Sequence, residues 1–151
     1  MNENSSVPAV NKCQASDMNE IKSVVNTNYN EIIDKITPVA LYNNTSGSNG
    51  TIALSDSSAN YEYIEIFYRS NDNDYSSVKV YQPNGKNVSL FAARPNGSTT
   101  RVYQKYRVVN INGTSISTIT NGAVQFTAIQ SSGCVVVAET DIYITRVIGF
   151  K

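Results

Sequence analysis

The sequence contains no histidine and no tryptophan, and only two of its 151 residues are cysteines. Without histidine the chain cannot form a Ser-His-Asp triad, a histidine metal site or a histidine general base. Cys13 and Cys134 stand too far apart for a zinc-binding spacing or a disulfide framework. They are expected to be free thiols, with an intermolecular bond through Cys13 as the alternative.

Charged residues are also scarce, at 16% of the chain, and the 12 basic residues balance the 12 acidic ones. Binding to nucleic acid needs a cationic excess, so no nucleic-acid partner is expected. No membrane insertion is expected either, because no apolar run approaches the roughly 20 residues that a membrane-spanning helix requires. Residues 1–10 lack the basic start and apolar stretch of a signal peptide, so synthesis in the cytoplasm is predicted.

Uncharged polar residues take the place of charge, since asparagine, serine and threonine make up 49 of the 151 residues. Hydrophobic residues nevertheless account for 40% of the chain, which is enough to form a core and excludes a disordered polar tract. Together with ten tyrosines, this composition favours a mainly β protein that works outside the cytosol.

Three zones follow one another along the chain, predicted as an extended arm at 1–15, a helix at 16–37 and a β domain at 38–151. In the second zone, apolar residues recur every 3.6 positions, as on one face of a helix: Met18, Ile21, Val25, Tyr29, Ile32 and Ile36. Asp17 is predicted to be the N-cap, with Glu20 at the spacing of a capping box. Pro38 is predicted to end the helix.

The helix carries a narrow apolar stripe that needs a partner surface. One alternative is that the stripe packs on the β domain of the same chain. The other, which we prefer, is self-association as a short coiled coil in which Asn28 sets the register. The residues predicted to hold this stem together are Met18, Ile21, Val25, Asn28, Ile32 and Ile36.

The rest of the chain has the pattern of short strands separated by Pro-Asn-Gly and Asn-Gly turns. Ten strands are predicted, at 39–43, 51–54, 61–69, 77–82, 87–93, 101–110, 115–120, 123–129, 134–138 and 141–149. Alternation is clearest in the third, where Ile64, Ile66 and Tyr68 share one face. The predicted fold class is therefore mainly β, with an N-terminal amphipathic α-helix followed by an antiparallel, jelly-roll-like β-sandwich.

Few residues of the β domain carry recognisable chemistry. The oxygen-rich segment 71–74 resembles a calcium loop but lacks the glycine and distal glutamate of an EF-hand, so a hairpin turn is preferred over a Ca²⁺ site. We predict no enzyme activity, no metal and no cofactor, because no carboxylate pair is evident; a two-carboxylate glycan depolymerase is the least favoured alternative.

Tyrosine is the residue type best suited to a ligand, because its ring stacks on a sugar while its hydroxyl can bond the sugar's rim. Most tyrosines in a β domain nevertheless serve as core or strand residues. The candidate ligand-binding residues are Tyr61, Tyr63, Tyr75, Tyr103 and Arg101.

Several stretches resemble tail-fibre proteins of phages and prophages of Gram-positive bacteria. Their helical lead-in resembles DMNEIKSVVN, their β heads resemble SDSSANYEYIEIFYRSNDND and SVKVYQPNGK, and their last strand resembles IYITRVIGFK. The resemblance implies a non-enzymatic, homotrimeric receptor-binding protein on the virion surface. Its head would bind host cell-surface carbohydrate, and its N-terminal arm would contact other virion proteins.

The chain departs from such fibres because it has no long shaft; its predicted helix spans only about 30 Å. The resemblance supplies no ligand residues. An alternative is a structural decoration or adaptor protein of the tail, baseplate or capsid that makes no receptor contact.

Overall fold

The structure is a computed structural model that describes residues 14–71, 73–95, 101–129, 133–138 and 141–151. It divides the chain into two compact units, with the division between Ile36 and Thr37. The predicted arm at 1–15 lies almost wholly outside the described residues and stays a prediction. Cys13 and the side chain of Cys134 also lie outside them, so the state of both thiols stays a prediction.

The first unit contains one helix, α1, from Ala15 to Ile36. The prediction that Asp17 is the N-cap is wrong, because α1 begins before it. Asp17 lies in the first turn instead, where its Oδ2 accepts a hydrogen bond from the backbone N–H of Gln14 at 2.9 Å. A carboxylate there also lies near the positive end of the helix dipole. The end of α1, two residues before Pro38, agrees with the predicted stop.

The second unit contains nine strands among the described residues. They are β1 (Val39–Ser48), β2 (Ile52–Ala53), β3 (Tyr63–Ser70), β4 (Tyr75–Tyr81), β5 (Lys86–Pro95), β6 (Arg101–Asn112), β7 (Ser115–Ile129), β8 (Gly133–Ala138) and β9 (Ile142–Phe150). A single 3-10 turn, Ser58–Asn60, lies between β2 and β3.

These strands form two antiparallel sheets. Sheet A has four strands in the order β1-β9-β3-β4. Sheet B has the order β2-β7-β6-β5, and β8 pairs with the second half of β7. The predicted fold class, a mainly β chain with an N-terminal helix followed by an antiparallel sandwich, is confirmed.

The hydrophobic core lies between the two sheets. Its fully buried side chains are Ile64, Ile66, Ile144 and Val147 from sheet A, with Leu90, Val109, Ile111 and Ile116 from sheet B. Burial of each such side chain stabilises the fold by about 1.5–3 kcal/mol. Buried and partly exposed residues alternate strictly along β3, so the two-residue period predicted for this segment is confirmed.

One predicted turn is wrong. Asn121-Gly122 does not separate two strands, because β7 continues through it as one strand. The register of β6 against β7 instead shifts between Arg107, which pairs with Ala123, and Val109, which pairs with Thr118. Three extra residues of β7 are accommodated there, so the irregularity is a large bulge within one strand. A Cβ on Gly122 would lie 2.8 Å from the carbonyl oxygen of Ile119, so the bulge needs glycine there.

Candidate functional site

The outward side of sheet A carries the candidate site, which we call the aromatic-cationic face. Strands β4, β3 and β9 lie side by side, and their register arranges outward side chains in four rows. In order, the rows are Tyr81, Tyr63 and Phe150; Lys79, Glu65 and Ile148; Ser77, Phe67 and Arg146; and Tyr75, Arg69 and Tyr143. Because the alternate residues of β3 are buried, the row residues point away from the core.

The segment 71–74, of which Asp72 is outside the described residues, connects the antiparallel strands β3 and β4, so the preferred interpretation of this segment as a hairpin connection is confirmed. Asn73 has φ 63°, a left-handed value that asparagine tolerates better than most residues. The backbone N–H of Ser70 donates to the carbonyl of Asp74 at 3.0 Å. Among the described residues, no three His, Cys, Asp or Glu side chains gather as a metal site.

The first row is aromatic throughout. The ring centroids of Tyr63 and Phe150 are 4.4 Å apart, and the rings are stacked with an interplanar angle of 8°. Tyr81 lies on the other side of Tyr63, at a centroid distance of 5.2 Å and an angle of 39°. Pairs of this kind add about 0.5–1.5 kcal/mol beyond the area they bury, so they hold the three rings as a fixed surface.

Cationic side chains lie over aromatic rings elsewhere on the face. The pairs are Lys79 over Tyr63 at 5.6 Å, Arg146 over Phe67 at 6.0 Å and Arg69 over Tyr143 at 4.9 Å from the ring centroid. Arg69 is anchored further, because its Nη2 donates to the carbonyl of Ser46 at 2.8 Å. Within the described part of the chain, neither Lys79 nor Arg146 forms an ion pair.

Glu65 is the one acidic side chain among the residues of these four rows. The hydroxyl of Ser77 donates to its Oε1 at 2.8 Å. The rows therefore carry the cations of Lys79, Arg146 and Arg69 against one carboxylate, although the chain as a whole is neutral.

A pocket of about 210 Å³ opens beside the aromatic row. It is lined by Ser58, Ala59, Tyr61, Gln82, Pro83 and Asn84. Gln82, which directly follows Tyr81, has φ 46°, an uncommon backbone conformation for a residue other than glycine. The volume is below the roughly 300 Å³ at which pockets for drug-sized ligands begin, so it limits any occupant to a small group.

Asp56 lies close to this pocket and is held by three donors. Its carboxylate accepts from the backbone N–H of Ser57 at 2.7 Å, the amide of Asn60 at 2.9 Å and the hydroxyl of Tyr61 at 3.0 Å. These bonds, of which the backbone bond has the largest effect, lower the pKa of Asp56 below its ordinary value. The group is therefore anionic at neutral pH.

The predicted ligand residues are divided between different parts of the head. Tyr63 and Tyr75 lie on the aromatic-cationic face, and Tyr75 is 71% exposed. Tyr61 is buried at 5% exposure, so its ring belongs to the core. Tyr103 and Arg101 belong to β6 of sheet B, and the side chain of Arg101 lies outside what the structure describes. The structure therefore does not bring the five residues together.

Sequence reasoning did not select the other ten residues of the face, among them Lys79, Tyr81, Arg146 and Phe150. The alternation in β3 does place Tyr63, Glu65 and Phe67 on one side of a strand. No local pattern, however, indicates that β9 pairs with β3, because the two strands lie at opposite ends of the head sequence.

Two cations of β6 serve the interior rather than the face. Lys105 is 5% exposed, and its Nζ donates to Oδ2 of Asp141 at 3.0 Å and also to Oδ1 of Asn71. Arg107 is fully buried, and burial lowers its pKa. Its guanidinium bonds Thr118 Oγ1 and the carbonyls of Ser48, Gly50 and Ile142.

The predicted stem residues lie on α1, every residue of which is exposed. The apolar members, Met18, Ile21, Val25, Ile32 and Ile36, have exposures between 55% and 65%. Val24, Tyr29 and Ile33 widen the apolar stripe beyond the predicted seam. Among the described residues, no helix has the length and apolarity needed to cross a membrane.

Comparison with known proteins adds no family assignment. The chain matches no protein-family model, and no curated protein is similar to it in sequence. Any function must therefore be argued from the aromatic-cationic face and from the apolar stripe of α1.

Proposed function

We propose that this protein is a non-enzymatic phage virion fibre or receptor-binding protein. It is a homotrimer on the virion surface whose β head binds a host cell-surface glycan. The aromatic-cationic face of sheet A is the observation that carries the proposal. It is an ordered surface of rings and hydrogen-bonding groups, which is the chemistry that sugar rings require.

Two tyrosines give this face open rings for stacking. Tyr81 is 58% exposed and Tyr75 is 71% exposed. They stand at the two ends of β4 and point to the same side. At about 3.3 Å per residue, their separation along the strand is about 20 Å. An extended glycan laid along β4 therefore contacts both rings.

The exposed apolar stripe of α1 supports the homotrimer. Most of the stability of a helix in a protein comes from packing of its amphipathic face, so the exposed stripe of α1 gains stability by burial against other copies. Trimerisation also places three heads together. Three weak sugar sites that act at once bind far more strongly than one, so the stem contributes to function through avidity.

The first test is the solution mass of the full chain by light scattering. A mass near three times 16.5 kDa is expected. The double variant Ile21→Asn, Ile32→Asn should release monomers, because each substitution places an amide in the apolar seam. Asn19→Asp, Asn26→Asp on the same helix is the control. A monomeric wild-type chain would contradict the trimer.

The second test is binding of the full chain to an array of bacterial cell-surface polysaccharides. Tyr75→Ala, Tyr81→Ala should lose binding by about tenfold or more, taking as a guide the about 1–3 kcal/mol that stacking of a nucleic-acid base on an aromatic ring contributes. Phe91→Ala removes a partly exposed ring from sheet B and serves as the matched control. No bound polysaccharide, or equal loss in both variants, would count against the glycan function.

A structural decoration or adaptor protein is the second candidate, and strand β8 favours it. Val135 and Val137 are 48% and 44% exposed on one side of β8, and Val136 is 56% exposed on the other side. Exposed apolar surface on a strand often marks a protein contact. Thiol labelling of a Tyr75→Cys variant in assembled particles separates the two functions. Labelling of the cysteine at position 75 above the level of the unsubstituted chain shows that the face is accessible and favours receptor binding. Protection of this cysteine favours the adaptor function.

A further inference from the structure

We propose that the glycan bound by the aromatic-cationic face is an acidic polysaccharide, with a carboxylate or phosphate on successive units. This inference rests on the proposed function and names its ligand class. It follows from where the cations of the face are placed.

The first observation is that cations cover the ring faces in the middle of the site. Lys79, Arg146 and Arg69 lie over the rings of Tyr63, Phe67 and Tyr143. A neutral sugar would compete with a cation for the same ring surface. A sugar that carries an acidic group instead binds the cation directly and leaves these pairs intact.

The second observation is that the cations are distributed over successive rows. Lys79, Arg146 and Arg69 occupy the second, third and fourth rows of the register, on β4, β9 and β3 respectively. Adjacent rows are about 7 Å apart along β3 and β4. A chain lying along the strand direction therefore passes within reach of a positive charge at each of these three rows, which suits a polymer whose charges repeat.

The third observation is the charge balance of the face. Its one carboxylate, Glu65, accepts a hydrogen bond from Ser77, whereas Lys79 and Arg146 have no ion pair within the described part of the chain. At the aromatic end, the cation of Lys86, whose Nζ donates to the carbonyl of Tyr81 at 3.0 Å, is offset by the anionic Asp56 close to the neighbouring pocket, so the excess of positive charge lies in the other three rows. Because the whole chain is neutral, this concentration of positive charge is a property of the face and not of the composition.

Arginine strengthens the case for carboxylate or phosphate. A guanidinium can donate two parallel hydrogen bonds to either group, which adds geometric specificity to the charge attraction. Arg69 is already held by the carbonyls of Ser46 and Ser70, so little further ordering is needed when a ligand binds.

The test uses three polymers that share one backbone: dextran, carboxymethyl dextran and phosphorylated dextran. The full chain should bind both acidic polymers and bind neutral dextran at least tenfold more weakly. Raising the salt concentration from about 0.1 M to about 1 M shortens the Debye length from about 10 Å to about 3 Å and should weaken the acidic binding. Comparison of the two acidic polymers shows which anion is preferred.

The variant Lys79→Gln, Arg146→Gln removes two exposed cations from the face and should lower binding of the acidic polymers at least tenfold. Lys22→Gln, Lys35→Gln makes the same change in net charge on α1, which is not part of the β unit, and should bind like the wild type. Circular dichroism of both variants confirms that the fold is retained.

Equal affinity for neutral dextran, or equal affinity of the two double variants, would overturn the inference. So would a single-stranded oligonucleotide that binds as tightly as the acidic dextrans, since any polyanion would then suffice. One outcome separates the two proposals. If Tyr75→Ala, Tyr81→Ala abolishes binding to the polysaccharide array while Lys79→Gln, Arg146→Gln does not, the glycan-binding function is supported and the acidic nature of the glycan is refuted. If acidic dextran binds but no bacterial polysaccharide does, the proposed function itself fails.

Discussion

The substitution Thr118→Val tests how the buried Arg107 is stabilised, because it removes one hydroxyl and almost preserves the shape of the side chain. Thr118 Oγ1 accepts from Nε of Arg107 at 3.0 Å and from Nη2 at 2.7 Å. The other donors bond the carbonyls of Ser48, Gly50 and Ile142, so the guanidinium is satisfied without a carboxylate. Arg107 is 0% exposed, and in Thr118→Val a methyl group takes the place of the hydroxyl, which leaves no room there for a water molecule to bond the guanidinium.

The expected cost follows from the two donors that lose their acceptor. A buried donor without a partner costs about 1–3 kcal/mol, and more when the group is charged. Both orphaned N–H groups belong to one cation and share one lost oxygen, so Thr118→Val should lower the free energy of unfolding by about 2–4 kcal/mol. At about 4 °C per kcal/mol for a domain of this size, Tm should fall by about 8–16 °C.

Urea unfolding followed by far-ultraviolet circular dichroism measures this cost. All variants are compared at one protein concentration, because the proposed trimer would make apparent stability depend on concentration. Thr118→Ser keeps the hydroxyl and should cost only about 0.8 kcal/mol for the missing methyl. In an Arg107→Met background no donor is left without a partner, so Thr118→Val should cost little. Equal losses for Thr118→Val and Thr118→Ser, or no coupling with Arg107→Met, would refute the reasoning.

Two further predictions concern the region around Tyr61. Gly149→Ala should destabilise the head by about 1–3 kcal/mol in thermal unfolding, because the new Cβ would lie 2.4 Å from Cδ1 of Tyr61; an unchanged Tm would contradict this. Asp56→Asn should reduce the loss of stability at low pH, measured as the fall of the urea unfolding midpoint with decreasing pH. Since the pKa of Asp56 is lowered on folding, its contribution is present above about pH 4 and is lost as pH falls through the lower folded-state value. If the urea midpoints of the wild type and of Asp56→Asn fall equally as the pH is lowered, Asp56 makes no such contribution.

Elements specified by neighbouring residues could be predicted from the sequence. The period of 3.6 that defines α1 and the period of two that defines β3 both arise within a few positions. Pro38 acts on the residue directly before it, so the helix end could also be placed. These features need no knowledge of what packs against them.

Elements whose geometry depends on a partner strand could not be predicted in the same way. Asn121-Gly122 suits a turn and a bulge equally well, because glycine both tolerates the backbone conformations of a turn and leaves room for a close backbone approach such as that of the Ile119 carbonyl. The bulge is recognised because β7 pairs with β6 both before and after Asn121-Gly122. A single sequence contains no local signal for that pairing.

The aromatic-cationic face depends on partners in the same way, and two tyrosines show how. Tyr61 and Tyr63 are two positions apart and of one residue type, yet Tyr61 is buried while Tyr63 stacks on Phe150 at the surface. The space for Tyr61 comes from Gly149, which has no side chain where the ring lies. Gly149 pairs with Ile64 and Phe150 with Tyr63, so a slip of one residue would bring Gly149 beside Tyr63 and abolish the stack.

The contact between Tyr61 and Gly149 therefore contributes to the site although neither residue belongs to the face. Because only glycine admits the Tyr61 ring, the core accepts β9 in the register that places Phe150 beside Tyr63. Gly149→Ala should then disturb the aromatic row as well as the core. Its loss of glycan binding should exceed that of a variant equally destabilised at a distance, such as Thr118→Val, when both are assayed below their unfolding temperatures.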